Sequence, residues 1–155
     1  MAIKSFQGAR KQQSEMSVDT PFKVSDIMCT DLTTFKPEQS VEEVIETLIS
    51  KRISGGPVVN DNNELVGIIS EGDCLKQISD SRYYNLPMEK ENVEKRMIKD
   101  VETIDGNMNV FDAANKFLES KRRRFPIVEN GKLVGQISQK DILKAAISLK
   151  GQTWK

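Results

Sequence analysis

The chain has 155 residues, 37% of them apolar and 30% charged, which suits one ordinary globular domain or two very small ones better than a disordered chain. Its 23 Lys and Arg balance 23 Asp and Glu, so a net charge of zero argues against global attraction to nucleic acid or an anionic membrane. The absence of histidine excludes Ser-His-Asp and Cys-His nucleophile systems and a Cys/His zinc site, and no other residues form a catalytic constellation or a metal box.

Residues 1–20 are polar, lack the apolar stretch of a secretory signal and read as a flexible tail carrying Phe6. No apolar run approaches the ~18 residues of a membrane span, so no membrane partner is expected. With only Cys29 and Cys74, the expectation is a reducing cytoplasm and two free, buried thiols. Leu32 to Phe35 reads as a short strand. Ser40 caps a helix whose stripe is Val41, Val44, Ile45, Leu48 and Ile49. A strand starts at Pro57-Val58-Val59, turns at Asp61–Asn63, and returns from Glu64 to Ser70. A second helix follows, about Gly72 to Ile78. Residues 80–92 form a linker, which Tyr83, Tyr84 and Pro87 are expected to tack onto the surface.

The same order then recurs. Val24, Met28, Asp31 and Thr34 match Val93, Met97, Asp100 and Thr103 at an offset of 69. The register holds through Val41/Val110 and Pro57/Pro126. It shifts to 68 after the hairpin turn, where Leu65–Lys76 faces Leu133–Lys144 with eight of twelve pairs identical. A fixed register of that quality marks a tandem duplication. Its second copy has a strand at Val101–Ile104, a helix capped by Asn109, and a strand starting at Pro126. An Asn130-Gly131 turn, a strand at Lys132–Ser138 and a helix over Lys140–Leu149 complete it. The expected fold class is α/β: two pseudo-symmetric β-α-β-β-α repeats, residues 21–79 and 93–150, packed sheet to sheet, because neither buries enough apolar surface alone.

The first copy carries Asp26-Ile27-Met28, Gly55-Gly56-Pro57-Val58-Val59 and Gly67-Ile-Ile-Ser70-Glu-Gly-Asp73, and the last two have counterparts in Arg124-Phe-Pro126-Ile127-Val and Gly135-Gln-Ile-Ser138-Gln-Lys-Asp141. In register and in matching element order, they resemble a tandem pair of CBS (cystathionine-β-synthase) domains, a Bateman module, over roughly residues 22 to 150. The resemblance implies a regulatory sensor, not an enzyme. It implies an adenosine-containing ligand (AMP, ADP or ATP, or else S-adenosylmethionine or NAD) in clefts between the copies. It also implies a disc-like homodimer, with output to the dimer itself or to a separate effector protein.

Ser70-x-x-Asp73 admits two readings. By itself it caps a helix. With a ligand, the helix N-terminus and the Ser70 hydroxyl face phosphate and the Asp73 carboxylate accepts from ribose hydroxyls. One geometry serves both, and Ser138 with Asp141 repeats it. Gly55 and Gly56 read as a tight connection or as bare backbone that a flat base approaches. The resemblance implies that backbone at Val58, with Ile127 its counterpart, and near Ile27 and Met28, reads adenine. Lys121–Phe125 replaces Arg52–Gly56. That run is a solvated charge patch or an arginine fork on phosphate, and the family pattern makes Arg123 and Arg124 the phosphate candidates. Phe125 in place of Gly56 is expected to narrow the second base pocket and leave the first site more open. Thr34 and Thr103 suit strands, and the resemblance adds contact with ribose or phosphate; Met28 and Met97 read as core plugs. The competing functions are a ligand-free dimerisation or protein-interaction module, and weak nucleic-acid binding through Arg122–Arg124. Zero net charge disfavours the latter, so no nucleic acid is expected as a partner.

Overall fold

The computed structural model of the chain describes residues 23–85 and 91–153. The expected tail 1–20 with Phe6, and Pro87 of the linker, lie outside the described residues. The elements in chain order are α1 (Val24–Ile27), α2 (Val41–Lys51), β1 (Gly55–Val59), β2 (Leu65–Ser70), α3 (Glu71–Tyr84) and α4 (Val93–Arg96), then α5 (Val110–Ser120), β3 (Arg124–Glu129), β4 (Lys132–Ser138) and α6 (Gln139–Thr153). The strands form two two-stranded sheets, β1–β2 and β3–β4. The chain divides into two compact units, and these cut across the sequence repeats. One contains Thr30–Thr103 and Val128–Gly135; the other contains the residues up to Cys29, Ile104–Ile127 and those from Gln136 on.

In the first of these units, Ser40 caps α2 by accepting the Glu43 N–H at 3.1 Å. The stripe Val41, Val44 and Leu48 is buried with Phe35, Val58, Ile69, Cys74 and Val93. Ile45, Ile53, Val66 and Met97 pack against that core from its edge, which is the plug role expected of Met97. β1 and β2 pair antiparallel with Gly55 opposite Ser70 and Pro57 opposite Ile68. Ile68 turns its own N–H and C=O outward to Ile98, at 2.9 and 2.8 Å. Arg96 of α4 reaches Asp80 of α3 at 2.6 Å, tying the second repeat's opening segment to the first repeat's last helix.

The other unit has the mirror arrangement. Cys29 exchanges both backbone hydrogen bonds with Gln136 of β4, at 2.8 and 2.9 Å, and Val24 donates to Met108 at 2.9 Å. Asn109 caps α5 by accepting the Phe111 N–H at 2.8 Å. Phe125, Ile127 and Ile137 are fully buried. The Phe125 ring stacks at 54° on Phe117 with centroids 4.8 Å apart. Each unit thus combines the opening segment of one repeat with the sheet edge and helices of the other.

Four expectations change. The strands expected at 32–35 and 101–104 shrink to single parallel bridges, Phe35 with Val58 and Ile104 with Ile127. Phe35 donates to Pro57 and accepts from Val59, both at 2.9 Å, and Ile104 donates to Pro126 at 3.0 Å. The next rung toward the N-terminus would need an N–H from Pro57 or Pro126, and proline has none. Second, α3 runs on to Tyr84, where Asn85 ends it in the left-handed conformation, φ 57°. Tyr83 therefore belongs to a helix, where it is 81% exposed. Third, Cys29 is exposed, on a segment joined to β4 by a single bridge, while Cys74 is buried. Finally, the one-turn helices α1 and α4 are additions that no hydrophobic period announces.

Candidate functional site

The first Ser-x-x-Asp motif sits where β2 becomes α3. A Cβ on Gly55 would lie 2.6 Å from the Ile69 carbonyl and 3.0 Å from Ser70 Cα, so only glycine lets the start of β1 close against the end of β2. A Cβ on Gly56 would lie 2.7 Å from the Thr33 carbonyl and 3.0 Å from the Phe35 ring. Glu71 N–H donates to the Ser54 carbonyl at 2.9 Å. These contacts gather Thr33, Gly55, Gly56, Ser70 and Asp73 into one corner. The fold itself requires both glycines, whatever else they serve.

Ser70 and Asp73 form a reciprocal capping box. The Ser70 N–H donates to Asp73 Oδ2 at 2.9 Å and its hydroxyl donates to the same oxygen at 3.0 Å. Asp73 Oδ1 receives no hydrogen bond among the described residues. Both side chains are half-buried. The carboxylate is therefore held rigidly through one oxygen and offers the other.

The second corner repeats this geometry in the other unit. Ser138 N–H and hydroxyl donate to Asp141 Oδ2 at 2.8 and 3.0 Å, and Asp141 N–H donates to Ser138 Oγ at 3.2 Å. Gln139 ties this helix start to the arginine run through the Arg122 and Arg123 carbonyls, at 3.2 and 3.4 Å. Arg123 is exposed and Arg124 half-buried. Phe125, which stands where the first repeat has Gly56, is fully buried. Its ring packs against Phe117, with Lys116 Nζ 5.9 Å from the ring centroid.

Other expected site residues fall as follows. Pro57 and Val58 are buried in β1. Since Pro57 opposite Ile68 is a non-hydrogen-bonded pair, the ladder's alternation makes Val58 and Gly67 a hydrogen-bonded one, which commits the Val58 amide. Ile127 is fully buried. Thr34 and Thr103 are exposed, beside the bridging Phe35 and Ile104. The residue that contacts Gly56 is Thr33, whose hydroxyl also accepts from Lys51 Nζ at 3.3 Å. Lys51 thus brings a cation to the first corner, as the arginines do to the second. Its signal in the sequence was its place in the last turn of α2, four residues before Gly55.

Cys74, next to Asp73, has its thiol pushed up from the ordinary 9.0 by burial, with the Asp73 and Glu71 carboxylates adding to the shift. It stays protonated and unreactive near neutrality. Two apolar grooves run along the helices and reach Glu71 and Gln139 at the helix starts. One runs between α2 and α3 past Ile45, Ile49, Leu75 and Ile78; the other runs between α5 and α6 past Ala114, Leu118, Ile142 and Leu143. Among the described residues no His/Cys/Asp/Glu group has the makings of a metal site. No helix among them is long and apolar enough to cross a membrane.

The family model described as CBS domain matches the chain twice, over residues 24–80 and 91–148. CBSX2, a chloroplastic CBS domain-containing protein of Arabidopsis thaliana, is 30% identical over 158 residues, covering 85% of this chain and 66% of the relative. MJ1225, an uncharacterised protein of Methanocaldococcus jannaschii, is 31% identical over 131 residues, covering 84% of this chain and 44% of the relative. The chain therefore spans about half to two thirds of the length of these relatives. Among solved structures, CBSX2 in complex with AMP matches with a TM-score of 0.74 at 31% identity, covering 84% of this chain and 99% of that one. The CBS domain pair of MJ0100 in complex with 5′-methylthioadenosine and S-adenosyl-L-methionine matches with a TM-score of 0.66 at 25% identity, covering 83% and 98%.

Proposed function

This chain belongs to the CBS domain family, and from that premise we propose that it is a regulatory sensor of an adenosine-containing ligand, with binding and no reaction as its task. AMP, ADP and ATP are the first candidates; S-adenosylmethionine and NAD belong to the same class. Asp73 and Asp141 accept from the ribose hydroxyls. The helix starts at Ser70 and Ser138 face phosphate, each serine hydroxyl exchanging its aspartate acceptor for a phosphate oxygen while the serine N–H keeps the carboxylate in place. The base lies along Gly55, Gly56, Pro57 and Val58, or along Ile127 in the second corner. Arg123 and Arg124, and Lys51 in the first corner, face phosphate, with Thr34 and Thr103 at the ribose side. The observation that carries this reading is the Asp73 carboxylate, fixed through one oxygen by Ser70 and open at the other, in a chain 31% identical to a protein whose structure holds AMP.

Occupancy passes outward through the geometry of a homodimer or to a separate effector protein. The dimer is supported by exposed apolar helix faces: Ile49 is 72% exposed, Leu75 65%, Leu118 79% and Leu143 65%. The free cysteines fit a reducing compartment such as the cytoplasm. A ligand-free dimerisation module is the competing reading, because the capping boxes stabilise α3 and α6 without a ligand. Calorimetric titration of the full chain with AMP, ADP, ATP, NAD and S-adenosylmethionine decides between them. Saturable heat from at least one of them is expected, and silence from all five at millimolar concentration would defeat the sensor reading.

A further inference from the structure

Among the asparagines of the chain, Asn130 alone precedes a glycine. That step forms the turn between β3 and β4, with Asn130 at φ 53° and Gly131 at φ 81°, the positive pair that a two-residue hairpin loop of type I′ needs. Both residues are exposed. Such a loop is closed by the C=O before it and the N–H after it, which leaves the Gly131 N–H outside that bond. The Asn130 side chain makes no hydrogen bond among the described residues. At the first repeat's turn the asparagines are held. Asn60 Oδ1 accepts the Asn62 and Glu64 N–H groups at 3.0 and 2.9 Å, and Asn63 Nδ2 donates to the Leu133 carbonyl at 2.9 Å. At the related Asp105-Gly106 step the carboxylate is committed to the Asn107 N–H at 2.7 Å, and Gly106 is buried.

We propose that Asn130 is a site of spontaneous modification that releases a contact between the two hairpin turns. Once hydroxide takes the Gly131 amide proton, that nitrogen attacks Asn130 Cγ. The new C–N bond closes a succinimide ring, and the side-chain nitrogen leaves as ammonia, its last proton supplied by water. Water then opens the ring at either carbonyl. One opening gives aspartate; the other gives isoaspartate, with the main chain rerouted through the side chain. No electrons are gained or lost. Aspartate keeps the turn, because it tolerates the left-handed conformation. Isoaspartate lengthens the main chain by a methylene, which a two-residue loop of fixed geometry does not accommodate. Close by, the Leu133 N–H donates to the Asn63 carbonyl at 3.0 Å, and Glu64 bridges to Lys132. These contacts join the first repeat's turn to the second's within one compact unit. A Cβ on Gly131 would lie 3.9 Å from Glu64 Oε2, so the added negative charge arrives near an existing carboxylate and opposes the same contact.

The test incubates the full chain at mildly alkaline pH and follows each asparagine by peptide mass mapping with chromatographic separation of isomers. The amide-to-acid mass gain is expected at Asn130 several-fold ahead of every other asparagine, in two isomer peaks, and faster as pH rises. Asn130→Gly, which keeps a turn of positive φ without the reacting amide, is expected to show no gain in that peptide. The isoaspartyl fraction is then isolated by ion exchange, and hydrogen exchange at the Leu133 amide is compared with fresh protein and with Asn130→Asp. Faster exchange in the isoaspartyl fraction than in either is the expected result. Modification at Asn130 no faster than at the other asparagines would overturn the site. An isoaspartyl fraction with unchanged protection at Leu133 would overturn the release of the contact.

Discussion

Asp73 has two tasks in the proposed complex, and they reside on different oxygens. Oδ2 closes the helix cap with Ser70, while Oδ1 awaits a donor. Asp73→Ala removes both. It is expected to weaken nucleotide binding by about 10- to 100-fold, the worth of a hydrogen bond to a charged group at ~1.5–3 kcal/mol. It also costs about 1 kcal/mol of stability through the cap. Titration calorimetry and thermal melting read the two losses separately; unchanged affinity would remove this carboxylate from the site. At Cys74 the shift is upward, so the native thiol keeps its proton where the unfolded one has lost it. Its contribution is complete below the ordinary 9.0 and is lost as pH rises above it. Stability is therefore expected to fall above about pH 9, less steeply in Cys74→Val, as measured by denaturant unfolding across pH. The Ser-x-x-Asp pairs were legible in the sequence because both partners lie within one helical turn. Thr33 was not legible, because its contact with Gly56 depends on where a distant segment crosses β1.

Among the elements, α2 and α5 were readable from their stripes and caps, which are local properties. The opening segments were not, because each finds its partner strand in the other repeat: Cys29 on Gln136 and Ile98 on Ile68. No period or turn signal encodes a pairing of that span. The prolines at 57 and 126 were visible, but their consequence, a bridge in place of a strand, follows only from knowing which edge the segment joins. Gly67 shows how closely this exchange is packed: a Cβ there would lie 2.6 Å from Met97 Sδ and 2.9 Å from the Ile98 carbonyl. The sulfur can yield but the carbonyl belongs to the bridge. Gly67→Ala is expected to destabilise by about 1–3 kcal/mol and to loosen the opening segment first. Hydrogen exchange at the Ile68 and Ile98 amides checks this. Acceleration confined to those two amides and their neighbours is the expected pattern, and unchanged protection there would show that the segment is held by other contacts.

For the whole molecule, duplication gives the proposed ligand two corners with the same capped carboxylate but different cations: Lys51 in one, Arg123 and Arg124 in the other. Affinity alone does not reveal how many corners fill, whereas the slope of stability against ligand concentration does. A ligand that binds only the folded state adds RT ln(1 + [L]/Kd) for each site, so each tenfold excess of ligand adds about 1.4 kcal/mol per occupied site. With both corners filled, the slope approaches about 2.7 kcal/mol per decade; with one filled, it is half that. Asp73→Ala and Asp141→Ala sit in different compact units, and neither carboxylate contributes to the other's cap. Each single variant is therefore expected to halve the wild-type slope over concentrations below its own weakened affinity, and the double variant to flatten it. Unfolding free energies from denaturant titrations at a series of AMP concentrations, with salt held fixed, provide the measurement. A wild-type slope of one site, unaffected by Asp141→Ala, would assign the nucleotide to the Ser70 corner and leave the second capping box as a helix start alone.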